Sequence, residues 1–180
     1  LISQQDLFFM DTVEEEMNFI VENYQYTSRD LKKRMLDALK LVGLADSFLH
    51  RKLETLSKSE RMLIKVACAF LVNPKVILFD ESFCYLSHNH KRVVLSLIQK
   101  MKERKDKLIV IASNDVNLLY AFTDLLVVLE NGECIREDKT SVVFRDFSFL
   151  EHHQIELPDL IAFTRLAKEK GVRLSYHKDI

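Results

Sequence analysis

The first part of the chain repeats apolar and polar positions with a period close to that of an α-helix. The stretch "TVEEEMNFIVENY" opens with Thr12 as a plausible cap and three glutamates, so it predicts a helix. "TSRDLKKRMLDALKLVGL" predicts a second, amphipathic helix, with Thr27 and Asp30 at its start and Gly43 as its stop. A third helix is predicted from "SKSERMLIKVACAFLVNP", and its wide apolar side indicates that it is largely buried.

Short runs of Val, Ile and Leu then alternate with helical patterns. The runs are "KVILFD", "LIVIAS" and "DLLVVLE", and the helical stretches between them are "NHKRVVLSLIQKMKERKDK" and "DVNLLYAFT". This alternation is typical of parallel strands that are buried on both faces. The tetrapeptide at 130–133 predicts a hairpin turn into "ECIRE", and the tail predicts a helix from near Pro158 to Gly171. We expect the tail to be a helical appendage.

Composition and charge narrow the class. With 180 residues, 48% hydrophobic and 29% charged, the chain can bury one sizeable core, as a soluble globular protein does. Its 26 basic and 27 acidic residues give no overall cationic field, so nucleic acid is not the expected partner. Cys68, Cys84 and Cys134 lack C-x-x-C spacing, which favours small buried hydrophobes in a reducing compartment.

The start of the chain carries no targeting signal. "LISQQDLFF" lacks the basic flank and cleavage site of a signal peptide, and no apolar stretch approaches the roughly 20 residues that span a bilayer. These features predict a cytosolic protein. Since the sequence begins without Met inside a predicted strand, either an upstream piece is missing or the start has been trimmed.

Two adjacent carboxylates, Asp80 and Glu81, follow the apolar run "VILF" directly. In open α/β sheets, ligands bind beyond the carboxyl ends of the strands. There an Asp can hold Mg²⁺ and a neighbouring Glu can polarise an attacking water. The alternative is a cap with a solvated acid.

The order of motifs resembles the ATP-binding subunit of an ABC transporter from the Q-loop onward. "ISQQDLFFMDTVEEEM" is similar to the Q-loop and coupling region, "ETLSKSERMLIKVACAFLVNPKVILFDES" to the signature motif and Walker B strand, and "LIVIASND" to the switch-histidine strand. The tail "IELPDLIAFTRLAKEKGVRL" is similar to the C-terminal extension of energy-coupling-factor (ECF) ATPases. The match in order and spacing covers about 140 residues.

The resemblance implies a fold and a division of the chain. The fold would be α/β, a P-loop NTPase-like parallel sheet with a helical signature subdomain, truncated at the N-terminus and followed by a C-terminal helical extension. Residues 1–150 would form the partial ATPase domain, with the helical subdomain at 12–72, and residues 151–180 would form the extension.

It also implies ligands and roles. ATP and Mg²⁺ would bind between this chain and a second ATPase subunit, attached to a transmembrane component on the cytoplasmic face of the cell membrane. Asp80 would serve the Mg²⁺ shell, and Glu81 would be the general base. Gln4, or less favourably Gln5, would be the Q-loop glutamine at the metal. The residues at the signature position are Ser57, Lys58, Ser59 and Glu60.

Several motifs depart from the family pattern. The 180 residues contain no G-x-x-x-x-G-K-[ST] phosphate loop, so no autonomous nucleotide site can be built from them. Lys58 and Ser59 replace glycines, and Glu60 can occupy the helix end, although Lys58 can instead attract phosphate. An ordinary capped helix is the alternative.

Two further departures affect the catalytic loop. Ser87 replaces the aspartate expected after Leu86, and Asn114 stands at the switch-histidine position. Asn can hydrogen-bond a phosphate oxygen but cannot carry a positive charge. We interpret four histidines as surface residues and not as a metal cluster; they are His88, His90, His152 and His153.

These features leave two main hypotheses. The chain is either the degenerate half of a heterodimeric ECF-type ATPase that drives uptake of a small nutrient, or a pseudo-ATPase that docks the transmembrane partner through the region after Gln5. The charge balance and the tail weaken a soluble ABC factor acting on ribosomes or DNA. A phosphatase is disfavoured since no D-x-D follows the strand.

Overall fold

Helices and strands follow one another largely as the sequence pattern predicts. The computed structural model describes residues 1–3, 7–24, 30–105 and 107–172. In chain order the elements are β1 (Ile2–Ser3), α1 (Val13–Asn23), α2 (Leu31–Leu41), α3 (Lys58–Val72), β2 (Val76–Asp80), α4 (His88–Arg104), β3 (Leu108–Ala112), α5 (Val116–Phe122), β4 (Leu125–Glu130), β5 (Glu133–Lys139), α6 (Thr140–Val143), α7 (Phe147–His152) and α8 (Asp159–Glu169). They form two compact units, Leu1–Ala112 and Ser113–Ile180. No described helix is long and apolar enough to cross a bilayer.

In the first unit, helices α1 and α2 each pack against α3. Their apolar positions meet in one core that includes Met17, Leu39 and Leu63, each fully buried. The expected wide apolar side of α3 is confirmed, since seven of its fifteen residues are buried. The packing of these helical faces supplies the stabilisation that short isolated helices lack in water.

The predicted helix ends are confirmed where the structure describes them. Thr12 caps α1 in a capping box with Glu15. Thr27 lies outside the described residues, and Asp30 occupies the N-cap of α2, although its side chain does not cap the helix. Gly43 has φ +81° and donates its N–H to Lys40 O at 3.0 Å, as the left-handed end of a helix requires.

The sheet of the first unit has the order β1-β2-β3, with all strands parallel. On one face Ile77 and Phe79 are buried, but on the other Val76, Leu108 and Val110 are 56%, 59% and 40% exposed. The prediction of strands buried on both faces is therefore wrong for the described residues. The described helices of the first unit cover one face of the sheet, and the alternate side chains on the other face remain exposed.

A buried serine ties β1 to the loop after β2. Ser82 lies in the first unit and is only 1% exposed. Its hydroxyl donates to Ile2 O at 2.5 Å, in addition to the two β1–β2 register pairs. A two-residue strand offers few ladder hydrogen bonds, so this side-chain bond is a large part of what fixes β1 in place.

In the second unit β4 does not join a parallel sheet. It pairs antiparallel with β5, and the predicted hairpin turn is confirmed at Asn131 and Gly132, which have φ +51° and +85°. The apolar run of β4 therefore pairs locally with its neighbour in sequence, and the prediction of a third long parallel strand is wrong.

The core of the second unit lies between the hairpin and its helices. Tyr120, Leu126, Val143, Phe144 and Leu150 form a buried cluster. The predicted tail helix is confirmed as α8, which begins after Pro158 and packs on this cluster through Ile161.

An ion pair joins β5 to the start of α7. Arg136 Nη1 lies 2.7 Å from Asp146 Oδ2. The hydrogen bonds from Arg136, then Ser148, and then the N–H of Phe149 lower the pKa of Asp146 from its usual 3.8 to about 2. The same carboxylate caps α7 through that N–H.

Replacing Ser82 by Ala should destabilise the first unit. The variant leaves the buried Ile2 carbonyl without this donor, which costs about 1–3 kcal/mol of unfolding free energy. Urea unfolding followed by circular dichroism measures the change. Ser47→Ala, at an exposed serine, is the matched control and should stay within about 0.5 kcal/mol of wild type. Equal effects of the two substitutions would contradict the structural role of the Ser82 hydroxyl.

Acid should remove the contribution of Asp146. Because its folded pKa lies below the unfolded value, the stabilisation is present above about pH 4 and is lost as the pH falls toward about 2. The stability difference between wild type and Asp146→Asn should therefore shrink over that window in denaturant titrations. Ser148→Ala, which removes a weaker donor, should show a smaller change in the same direction. A difference that does not vary with pH would refute the assignment.

Candidate functional site

The carboxyl edge of the parallel sheet brings three residues into line. Ser3, Asp80 and Ala112 are register partners at the ends of β1, β2 and β3. Asp80 is exposed at this edge, and Glu81 follows it with φ +48°. Its N–H donates to Ala112 O at 2.9 Å, which holds this left-handed residue where the chain leaves the sheet. A non-glycine residue in that conformation is uncommon and is enriched at functional sites.

The loop after Glu81 is a short 3₁₀ helix, Ser82–Tyr85. Phe83 is buried and stacks on Phe79 with ring centroids 5.2 Å apart, so it anchors the loop to the strand. The Cys84 thiol donates to Glu81 O at 2.8 Å and is exposed. The prediction of buried cysteines is confirmed for Cys68 and wrong for Cys84 and Cys134, since the 3₁₀ turn and the hairpin present them to solvent.

Gln4 and Gln5 lie outside the described residues, but the chain on either side of them is anchored. Lys65, on α3, donates from Nζ to Ser3 O at 3.3 Å and lies 5.3 Å from the centre of the Phe8 ring. The buried Glu16 carboxylate accepts from the N–H groups of Phe9 and Met10 at 2.9 and 3.1 Å. Helices α1 and α3 therefore hold the flanks of the segment in which the Q-loop glutamine is predicted.

The segment at the signature position forms the predicted capping box. Ser57 Oγ accepts from the N–H of Glu60, and Glu60 Oε2 accepts from Ser57 N at 2.8 Å and from its hydroxyl at 2.8 Å. The Ser57 backbone donor lowers the pKa of Glu60 most, and the Ser57 hydroxyl and the Arg51 charge act in the same direction. The Glu60 carboxylate is thus hydrogen-bonded at the start of α3, the helix end where negative charge is stabilised.

The other two residues of the segment also have partners within the chain. Ser59 Oγ lies 2.6 Å from His90 Nδ1 and accepts from Ser87 N at 3.0 Å. The Lys58 ammonium lies 5.4 Å from the centre of the Tyr85 ring. All three partners belong to the loop after Glu81 or to the first turn of α4. Sequence reasoning missed them because the bonded residues are about 30 positions apart.

Of the four histidines interpreted as surface residues, two are only partly exposed. His90 is half-buried and hydrogen-bonded to Ser59, and His153 Nδ1 lies 3.1 Å from Glu130 Oε2 with 19% of its side chain exposed. Asn114 is exposed in the turn before α5, next to Asp115, which caps that helix. The structure thus describes Asn114 in the second unit, whereas Asp80 and Glu81 belong to the first.

The carboxyl edge fits a divalent cation that is held together with phosphate groups. No described group of three or more His, Cys, Asp or Glu residues gathers around a common point. Mg²⁺ is commonly held by one or two carboxylates together with phosphates and water, and Asp80 and Glu81 can supply those carboxylates.

Comparison with known proteins gives a consistent family relationship. Residues 1–84 match the family model described as ABC transporter. The chain is 26% identical to the energy-coupling factor transporter ATP-binding protein EcfA3 of Oenococcus oeni, over 93% of this chain and 58% of that protein. It is 29% identical to the cobalt import ATP-binding protein CbiO of Syntrophus aciditrophicus, over 89% and 56%. The chain thus spans less than two thirds of these relatives.

Solved structures agree with this relationship. A dimeric ATP-binding cassette in a post-hydrolysis state, bound to ADP and Pi, superposes with a TM-score of 0.69 at 26% identity, over 77% of this chain and 61% of that one. The P-loop NTPase-like fold predicted from the sequence is therefore confirmed. The predicted resemblance is confirmed as well: this chain is similar to the ATP-binding subunits of ABC transporters, those of energy-coupling-factor transporters among them.

Proposed function

We propose that this chain is an ATP-binding subunit of an ECF-type importer and forms the weaker half of a heterodimer. The observation that carries the proposal is the pair Asp80–Glu81 at the carboxyl edge of the parallel sheet, in register with Ser3. Relatives named as ATP-binding and cobalt-import proteins support it. ATP and Mg²⁺ are the proposed ligands, and a small nutrient is the proposed cargo.

Two residues would divide the hydrolytic work. Asp80 would hold the Mg²⁺ shell, directly or through water, and the metal would neutralise charge on the phosphates. Glu81 would accept the proton of the water that attacks the terminal phosphorus, as the bond from that phosphorus to the ADP oxygen breaks. The backbone bond from Glu81 N to Ala112 O would keep the carboxylate at the edge of the sheet.

The signature position supports an unequal pair of sites. In the resembled family, backbone donors at this helix end face the partner's nucleotide, whereas here Glu60 already accepts from Ser57 N. A partner's nucleotide would have to compete with that carboxylate, so the composite site using Ser57 to Glu60 would be the poorer one. The other site would use Glu81 with the partner's signature motif.

The remaining partner would be a transmembrane component on the inner face of the cell membrane. Leu7, Phe9 and Met10 are 64%, 70% and 36% exposed, and the buried Glu16 carboxylate holds the backbone of the last two. A fixed turn that presents apolar side chains suits a protein contact. This would be the docking point in both hypotheses that the sequence leaves open.

The second candidate function is a non-catalytic docking subunit. It is favoured by the closed capping box at the signature position and by Asn114 in place of a histidine. In this alternative Glu81 would retain its position without acting as a base, and the partner ATPase would perform hydrolysis alone.

Glu81→Gln separates these functions. In the purified complex of the full-length chain with its partner subunits, loss of a general base should lower the ATPase activity of this site by roughly 10²- to 10⁴-fold. Single-turnover phosphate release, measured beside wild type, gives that rate. Glu103→Gln, at an exposed residue of α4, is the matched control and should leave the rate unchanged.

The alternative outcome is equally defined. If Glu81→Gln hydrolyses ATP as fast as wild type while transport persists, the hydrolytic role is wrong and the docking function replaces it. Gln keeps the size of the side chain and tolerates the same backbone conformation, so circular dichroism should show an unchanged fold.

A further inference from the structure

Three residues join the first turn of α3 to the first turn of α4. The Ser59 hydroxyl oxygen lies between Ser87 N, at 3.0 Å, and His90 Nδ1, at 2.6 Å. Ser87 in turn caps α4 by accepting from His90 N at 3.4 Å. The group is a closed ring of hydrogen bonds between two helix ends, which we call the Ser59–Ser87–His90 ring.

The chemistry of the ring assigns His90 a specific role. Since Ser59 Oγ already accepts the Ser87 N–H, its own proton is available for an acceptor. Neutral His90 offers that acceptor at Nδ1 when its proton sits on Nε2. In the other tautomer Nδ1–H would donate to the second lone pair of Ser59 Oγ, so the ring requires a hydrogen-bonding group at the Nδ1 position.

A second contact joins the same segments. Lys58 Nζ lies over the Tyr85 ring at 5.4 Å. Tyr85 ends the 3₁₀ helix that starts directly after Glu81, and Cys84 of the same helix donates to Glu81 O. Buried Phe83 keeps this short helix on the sheet. The contact between Lys58 and Tyr85 thus links the first turn of α3 to the loop after Glu81 and resists its movement.

We propose that His90 is a positioning residue that fixes the position of Ser57 to Glu60 relative to the loop after Glu81. The inference rests on the proposed function, in which Ser57 to Glu60 face a partner's nucleotide. His90 itself would not touch that nucleotide. Its loss would instead let the first turn of α3 shift, so that the composite site binds ATP less well.

Loss of the His90 side chain should weaken ATP binding more than it slows ATP hydrolysis. A segment that contacts the nucleotide equally before and during hydrolysis changes KM and leaves kcat nearly constant. The net contribution of one hydrogen bond corresponds to a change of roughly two- to tenfold in an equilibrium. We therefore expect His90→Leu to raise the KM for MgATP by roughly two- to tenfold, with kcat within about twofold of wild type.

The experiment uses the complex of the full-length chain with its partner subunits, and MgATP as the probe. His90→Asn places an amide group, which can donate or accept, near the Nδ1 position and should bring the KM most of the way back to the wild-type value. Ser59→Ala removes the other side of the bond, and the double variant should be no worse than either single one. His88→Leu, at an exposed histidine of the same helical turn, is the matched control and should match wild type.

Each outcome of these measurements supports or contradicts the positioning role of His90. An unchanged KM in His90→Leu, additive effects of Ser59→Ala and His90→Leu, or no rescue by His90→Asn would each overturn the positioning role while wild-type activity stands. A wild-type complex without MgATP-dependent activity would overturn the proposed function and this inference together. Hydrogen exchange at residues 57–63, measured without nucleotide, should rise in His90→Leu and remain at the wild-type level in His88→Leu.

Discussion

Parallel pairing of β1, β2 and β3 is the constraint on which the candidate site depends. It places Ser3, Asp80 and Ala112 side by side at one edge, so the backbone register brings Ser3, which precedes Gln4, next to the acidic pair. The two-residue strand β1 is the weak member of this arrangement. Its place is secured by the Ser82 hydroxyl on Ile2 O and by Lys65 on Ser3 O, which come from the loop after β2 and from α3.

Helix α3 connects the parts of the site that lie off the sheet. Its first turn carries Lys58, Ser59 and Glu60, and two turns later Lys65 holds both Ser3 and the Phe8 ring. Seven of its fifteen residues, all from Met62 onward, are buried in the core that it shares with α1 and α2, so this part of the helix moves together with that core. A displacement of the segment after Gln5 would therefore reach the signature position through a rigid element.

Most elements could be predicted from local pattern, since capping boxes, glycine stops and apolar runs are local signals. Thr12 and Ser57 begin their helices and Gly43 follows the end of another where the sequence indicates. Asn131-Gly132 forms the hairpin turn. The pairing of β4 could not be predicted, since an apolar run does not indicate which strand it will pair with. The bonds of Ser82 and His90 were also inaccessible, because they join residues 80 and 31 positions apart and depend on register in space.

The residues that depart from the family pattern at the signature position and after Leu86 share one physical property. Each substituted side chain contacts its own chain: Glu60 binds Ser57 and Arg51, Lys58 lies over Tyr85, and Ser59 joins Ser87 and His90. In the resembled family the same positions address a second subunit. Groups satisfied internally have less to gain from a partner, because any new hydrogen bond must first replace an existing one. In the proposed heterodimer, the better composite site would for this reason be the one that uses Glu81 of this chain and the signature motif of its partner.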